Sequence, residues 1–320
     1  MQTSVSRSRR PAPLRTRISD EVSEALRDGR PVLALESNVV AQGLPYPVNL
    51  QMAAEVEQIA RDLGAVPATT AILSGEVVVG LTMDELAGLA RDPGTAKLSA
   101  RDLGVFAARS GTGATTIAAT MAIADLVGIP VVASAGLGGV HRGVAQTMDV
   151  SADLMQLTRS RVLLVCAGAK KILDLPKTLE YLETAGIPVV AYRSDDFPAF
   201  YCTSSGIPAP HRVDDPAEIA ALARAHWAYG GSGSVLVTHP IPEHEALPTA
   251  EVERAITAAL DAASRDGITG QKVTRYLLDA VDRATNGRAS AANAGVLRST
   301  TAAAAEIAIA YANTMTRVRS

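Results

Sequence analysis

The feature that most constrains this chain is an alternation. Short aliphatic runs occur at Val32–Leu35, Thr70–Leu73, Val77–Val79, Ile129–Ser134, Arg161–Cys166, Ile187–Ala191 and Ser234–Val237. Between them lie stretches with helical spacing at Asp20–Asp28, Leu50–Leu63, Met83–Ala90, Thr115–Leu126, Thr178–Thr184 and Ala217–Trp227. Strand-length runs alternating with helix-length patterns mark an α/β fold with a largely parallel sheet covered by helices. Pro216 stands where a first helical turn tolerates it, and Asp214 or Asp215 is the candidate cap. From Thr249 to Arg319 the pattern changes to three helices with no convincing strand. No Pro/Gly/Ser linker sets that part off. The expectation is a single domain over 18–320 with a helical C-terminal extension.

Composition narrows the class. In 320 residues, 48% are hydrophobic and 20% charged, enough apolar material for a sizeable core. Aromatics are only 3%, so that core must be aliphatic. A net charge of −3 gives no general attraction to nucleic acid or an anionic membrane, and neither is expected as a partner. A small phosphorylated ligand needs only a local positive pocket. Cys166 and Cys202 cannot build a disulfide framework; reduced thiols in the cytoplasm are the simpler reading. No apolar run approaches the roughly 20 residues that span a bilayer. Residues 1–17 carry Arg7, Arg9, Arg10, Arg15 and Arg17, with no acid before Asp20. They read as a disordered basic N-terminal tail.

Several segments can carry chemistry. In Val162–Leu163–Leu164–Val165–Cys166–Ala167–Gly168–Ala169–Lys170 a buried strand runs into small residues and presents a lysine at its carboxyl end, where parallel α/β sheets bind ligands. A lysine walled by apolar groups is a nucleophile toward a carbonyl. Lys170 reads equally as a surface lysine at a helix start, and Lys171 beside it is a second candidate. Gly138–Gly139–Val140–His141–Arg142–Gly143 follows a strand and lets backbone amides approach a ligand. Asp149 and Asp153 are spaced to share one side of a helix, which suits a water-rich, oxygen-liganded Mg²⁺ or Mn²⁺ or, more plainly, a cap and a solvated acid. Ser110–Gly111–Thr112–Gly113–Ala114–Thr115–Thr116 precedes a helix and is a weak candidate phosphate cradle. Glu36 ends the first strand, a place for an acid–base group or a simple sheet-edge carboxylate. His239 and His244 read as loop histidines.

Together these segments closely resemble the pseudouridine-5′-phosphate glycosidase family, also called the indigoidine synthase A type. The resemblance runs from Ile18 onward, through Ala34–Leu35–Glu36–Ser37, Gly43–Leu44–Pro45–Tyr46–Pro47, the Gly138–Gly143 segment, Asp149–Val150–Ser151–Ala152–Asp153–Leu154 and Cys166–Ala167–Gly168–Ala169–Lys170. It continues in Thr178–Leu179–Glu180–Tyr181–Leu182–Glu183–Thr184 and Phe197–Pro198–Ala199–Phe200–Tyr201. The resemblance implies a three-layer α/β/α sandwich assembled as a homotrimer. It also implies a lyase that cleaves or forms the C–C glycosidic bond between ribose 5-phosphate and uracil. By motif, Lys170 corresponds to the Schiff-base lysine and Glu36 to the proton donor. Lys97 matches a substrate-binding lysine, Ile117 a backbone contact, and Ser151, Ala152 and Asp153 the ribose-contacting positions. Asn293 matches a base-contacting asparagine, and Asp149 the ligand of Mn²⁺ (or Mg²⁺).

The chain departs from the family pattern at Asn38, Gln42, Ala135, Ala145, His239 and Ser299–Thr300. These changes spare the sugar-handling residues and bear on the ring. An alternative reading is therefore a C-glycosynthase of the alnumycin type, attaching ribose 5-phosphate to an aromatic polyketide-like acceptor. A third is a non-catalytic sugar-phosphate-binding paralogue, against which the joint retention of Glu36, Lys97, Asp149 and Lys170 argues.

Overall fold

The computed structural model describes residues 15–270 and 272–319. The first half of the chain runs β1 (Thr16–Ile18), α1 (Asp20–Arg27), β2 (Val32–Leu35), α2 (Asn38–Gln42), α3 (Val48–Leu63), β3 (Val66–Leu73), β4 (Glu76–Val79), α4 (Met83–Arg91), β5 (Ala96–Leu98), α5 (Leu103–Ala108), β6 (Gly113–Thr115) and α6 (Ile117–Val127). The second runs β7 (Val131–Ala133), α7 (Val144–Thr147), α8 (Ala152–Leu157), β8 (Leu163–Cys166), α9 (Leu175–Thr184), β9 (Val189–Tyr192), β10 (His211–Val213), α10 (Pro216–Ala228), β11 (Val235–Thr238), α11 (Thr249–Arg265), α12 (Lys272–Ala284) and α13 (Arg288–Arg319).

The main sheet has the order β3-β2-β7-β8-β11-β9-β10, and every neighbouring pair in it is parallel. β3 is long enough to serve two sheets. Val66–Thr69 pairs with β2, whereas Thr70–Leu73 turns away to pair antiparallel with β4 and β6. β1 and β5 complete this smaller mixed sheet. The α/β fold with a mostly parallel sheet and flanking helices is as the alternation predicts. Pro216 opens α10 with Asp215 as its cap, the Asp215 carboxylate accepting from the Ala217 amide at 2.8 Å.

Helix α6 packs on α8 and lies over β2 and β7. α13 joins α3 and α10 and lies against β2, β7 and β8. The expected C-terminal extension is thus only part of the picture: α11 and α12 pack on each other, but α13 is a structural layer. Its alanine run, with Ala303, Ala304 and Ala305 buried, lets the helix approach the strands closely. The core is aliphatic as composition requires, with Leu33, Val132, Leu164 and Val237 fully buried. Tyr192, Phe197, Phe200 and Tyr201 are its buried aromatic exceptions. No helix among the described residues is long and apolar enough to cross a membrane.

Two expectations move. Thr16 and Arg17, assigned to the tail, lie in β1, whose backbone pairs with Val77 and Val78. Residues 1–14 of that tail lie outside the described residues. The glycine-rich Ser110–Thr116 segment contains strand β6, where a Cβ on Gly113 would meet the Leu98 side chain at 2.7 Å.

Beneath the end of β2 sits a buried hydroxyl network. Ser37 Oγ donates to the Thr70 carbonyl (2.6 Å) and accepts from the Thr115 amide (2.9 Å), while Thr115 Oγ1 donates to the same carbonyl (2.7 Å). Ser37 ties the end of β2, and hence Glu36, to β3 and β6. Ser37→Ala strands the Thr115 amide and should cost about 1–3 kcal/mol. The denaturant midpoint, at unchanged slope, measures it.

Candidate active site

The chain reverses direction across the main sheet between β2 and β7: β2 leads to β3 on one side, β7 to β8 on the other. Such a switch point leaves a crevice at the carboxyl ends of its strands. Glu36 is the first residue beyond β2 and Ser134 the first beyond β7, and Ser134 Oγ donates a hydrogen bond to Glu36 Oε1. Lys170 follows β8. The loops after β7 and β8 are zipped together, the Leu137 amide donating to Gly168 O (2.9 Å) and the Lys170 amide to Leu137 O (3.0 Å). Gly168, at φ +71, passes so near Pro198 that a Cβ would lie 2.1 Å from its carbonyl oxygen. That position needs glycine.

Arg142 locks the segment beyond Lys170. Its guanidinium grips both carboxylate oxygens of Glu253 on α11 (2.6 and 3.0 Å) and donates to the carbonyls of Lys171 (3.0 Å) and Leu173 (3.3 Å). The Lys171 ammonium is buried 4.0 Å from Glu253. Lys170 has no carboxylate within ion-pair reach among the described residues, so of the two lysines it is the one left to face a ligand.

Glu36, Lys97, Asp153 and Lys170 share one electrostatic field. Burial raises the Glu36 pKa above the ordinary carboxylate value; the Ser134 bond and the charges of Lys170 and Lys97 oppose that without cancelling it. Glu36 keeps a protein-walled position with some access at the crevice. Lys97 stands at the open rim, where partial burial lowers its pKa first and the charge of Lys170 adds to it. A carboxyl shifted toward its protonated form and Lys97 shifted toward its neutral form, both facing Lys170, are the kind of perturbed group that marks a functional site.

Of the remaining predicted residues, Asp153 lies in the field of Glu36 and Lys97. Ser151 caps α8, accepting from the Asp153 amide at 3.2 Å. Asp153 is buried, and its two oxygens accept from the amides of Ala118 (3.1 Å) and Gly138 (3.0 Å). It thereby joins the first turn of α6, opened by Ile117, to the Gly138 loop. Ala152 lies between them at the start of α8. A Cβ on Gly138 would meet Ser151 Oγ at 2.3 Å and Asp153 Oδ2 at 2.7 Å. Asn293 lies on the face of α13 that also carries Leu297 and Thr301, and its Oδ1 is buried without a donor.

Asp149 corrects one expectation. α8 begins at Ala152, so Asp149 and Asp153 do not share a helical face. Asp149 lies in an extended segment, with the His141 amide donating to its carbonyl (3.0 Å) and His141 Nδ1 3.7 Å from Oδ2. Burial lowers the His141 pKa, against the pull of Asp149, and leaves a neutral imidazole. No group of three or more acidic, His or Cys ligands exists among the described residues. One carboxylate with a neighbouring imidazole fits a hard cation that keeps most of its waters, and does not fit a zinc cage.

His141, Ser134, Arg142 and Glu253 were not singled out as site residues by sequence. The first three lie in or beside quoted motifs; Glu253 carries no local signal. His239 is held by its ring, Nδ1 lying 3.3 Å from the Tyr192 carbonyl, and His244 is exposed.

The family profile described as "Indigoidine synthase A like protein" matches residues 21–310. The chain belongs to this indigoidine synthase A-like family. Its relatives include the pseudouridine-5′-phosphate glycosidase of Dickeya dadantii, 52% identical over 92% of this chain and 93% of that one. The enzyme of the same name from Deinococcus radiodurans is 49% identical over 92% and 94%. Among solved family structures, prealnumycin C-glycosynthase in complex with ribulose 5-phosphate superposes with a TM-score of 0.90 at 42% identity, covering 96% of this chain and all of the other. An indigoidine synthase A-like protein of Thermotoga maritima gives 0.83 at 31%, covering 96% and 99%.

In this family member Ser134 favours the charged form of Glu36. Ser134→Ala should therefore let Glu36 hold its proton to higher pH. Infrared difference titration of the carboxyl stretch, with Glu36→Gln as reference, checks the sign.

Proposed function

We propose that this chain catalyses the reversible conversion of pseudouridine 5′-phosphate and water into uracil and ribose 5-phosphate. The observation that carries the reading is a walled-in Glu36, its pKa raised by burial, facing the same crevice as Lys170, an amine with no carboxylate in ion-pair reach among the described residues. The names of relatives about half identical over nearly their full length support the substrate.

An ordinary glycosidase protonates a leaving oxygen between two carboxylates. Here the leaving atom is a ring carbon, which does not depart from a closed sugar. Lys170 attacks C1′ as the ribose ring opens, its proton passing to the ring oxygen. The nitrogen lone pair then forms the C=N bond as the C–C bond breaks, and the electron pair released to the uracil carbon takes the proton of Glu36. Water adds to the imine, freeing ribose 5-phosphate and Lys170 with one proton, the equivalent of the one Glu36 gave. The same steps in reverse form the C-glycoside.

Lys97 and the backbone at Ile117, where α6 begins, suit the phosphorylated sugar, with Ser151 and Ala152 as its ribose contacts. Asn293 Oδ1 suits a ring N–H. Asp149, with His141 beside it, would hold Mn²⁺ or Mg²⁺, which would supply fixed positive charge and ordered water to the sugar. A homotrimer in the cytoplasm completes the reading.

The C-glycosynthase reading draws on the likeness to the prealnumycin enzyme. The departures give it little support. Gln42 Nε2 donates to Thr95 O (3.2 Å), His239 faces the Tyr192 carbonyl, Thr300 bonds to Val296 O (2.8 Å), and Ala145 is exposed on α7. Those changes are absorbed by local structure, and only Asn38 keeps a buried, unpartnered Oδ1.

Uracil release from pseudouridine 5′-phosphate should be efficient in the native chain and lost in the Lys170→Ala variant. Exhaustive chelation should slow it, and Mn²⁺ or Mg²⁺ should restore it. Negligible uracil release, beside efficient coupling of ribose 5-phosphate to an aromatic acceptor, would favour the synthase.

A further inference from the structure

The loops after β7 and β8 share a third neighbour, residues 197–202. The Phe200 amide donates to Ala167 O (2.9 Å), just before Lys170. The Phe200 ring lies on Gly136, just after Ser134, where an added Cβ would stand 2.5 Å from the ring carbon Cδ2. Gly136 is not left-handed, so its missing side chain makes room for the ring and serves no special backbone angle. One residue thus touches both the loop that carries the hydrogen-bond partner of Glu36 and the loop that carries Lys170.

Phe200 holds that place at a cost to its backbone. The Ala199 amide bonds Cys202 O (3.2 Å) and the Cys202 amide bonds Ala199 O (3.3 Å), closing a tight turn. Its first corner is Phe200, with φ +61. That is the left-handed region, where a Cβ crowds the following carbonyl and turns ordinarily place glycine. An aromatic residue there is an outlier, and such outliers persist where the surroundings fix them, at functional sites above all. The ring is buried, at 3% exposure for the residue, and packs against Tyr201 with ring centroids 4.3 Å apart.

We infer that Phe200 is a positioning residue for the proposed reaction, a wedge that sets where the Lys170 loop stands relative to the Ser134–Glu36 pair. The inference rests on the reading of Lys170 as nucleophile and Glu36 as acid. Glycine at that corner would satisfy the turn and the bond to Ala167; the ring is what fills the contact with Gly136. Backbone bonds at Ala135, Leu137 and Gly168 tie the two loops to each other. Phe200 bears on both at once, through its amide on one and its ring on the other, and so resists their shifting together. Imine formation and ring release need the Lys170 amine and the Glu36 proton within reach of one sugar carbon and the ring carbon bonded to it. A misplacement of about 1 Å is enough to slow such a step by about 10²-fold.

The test alters the ring and its seat separately and then together, in the full chain. Phe200→Leu keeps the backbone cost of a left-handed Cβ and shortens the side chain, whereas Gly136→Ala pushes the ring away. In each, kcat for uracil release from pseudouridine 5′-phosphate should fall about tenfold or more, with KM within about twofold of native. The double variant, where the shorter leucine leaves room for the added methyl, should recover most of that loss. Amide hydrogen exchange of the ligand-free chain supplies a readout that needs no activity. The Leu137 and Lys170 amides should exchange about tenfold faster in each single variant and recover in the double. The Leu236 amide, bonded to Pro188 O elsewhere in the sheet (2.9 Å), should keep its rate. Native kcat in either single variant, KM raised with kcat kept, or no recovery in the double overturns the wedge. Equal acceleration at Leu236 also overturns it, as the mark of a general structural role. A native chain that releases no uracil overturns the proposed function instead, and the exchange rates alone then decide the wedge.

Discussion

The site depends on the level ending of three parallel strands. Ala133 of β7 is in register with Leu35 of β2 on one side and with Val165 of β8 on the other. The residues that follow, Glu36, Ser134 and the Cys166–Lys170 loop, therefore emerge side by side. Register along a fully buried sheet is strongly specified, because a slip of one residue turns every side chain to the opposite face. The site inherits that precision: a carboxyl and an amine are brought to one crevice by backbone pairing, before any side chain interaction fixes their orientation.

Holding Glu36 there has a cost that the scaffold offsets. Its folded pKa is raised above the ordinary value of 4.5. A carboxyl raised on folding contributes stability fully below its unfolded pKa, and that contribution is lost as pH rises toward its folded value. The buried hydroxyls of Ser37, Thr70 and Thr115 anchor the strand end nearby, and α13 covers β2 and β7 with a close, alanine-rich surface. On the other side, Arg142 and Glu253 bind the Lys170 loop to the C-terminal helices. A helical region that looks peripheral in sequence thus takes part in shaping the site.

Much of this was legible in the sequence, for a physical reason. Aliphatic runs such as Val32–Leu35 and Leu163–Val165 have no solvated face, so their strand identity is local information, and Glu36 and Lys170 stand out as polar residues just past such runs. The three-residue strands β1, β5, β6 and β10 were missed because their pairing is decided by partners, not by their own pattern. β6 was disguised by Gly113, whose missing side chain lets the strand pack against Leu98. The pairing of Asp149 with Asp153 failed because helical spacing does not say where a helix begins. The motif match chose Lys170 over Lys171; what sequence did not show is the Arg142–Glu253 clamp, which joins residues far apart in the chain and lies beside Lys171.

The central claim is that Lys170 is the covalent catalyst, and trapping its imine tests this most directly. Native protein incubated with ribose 5-phosphate, reduced with borohydride and digested should carry one reduced sugar phosphate, located by mass spectrometry on Lys170. Equal labelling of the Lys170→Ala variant, or a label on Lys97 or Lys171 instead, would contradict the account.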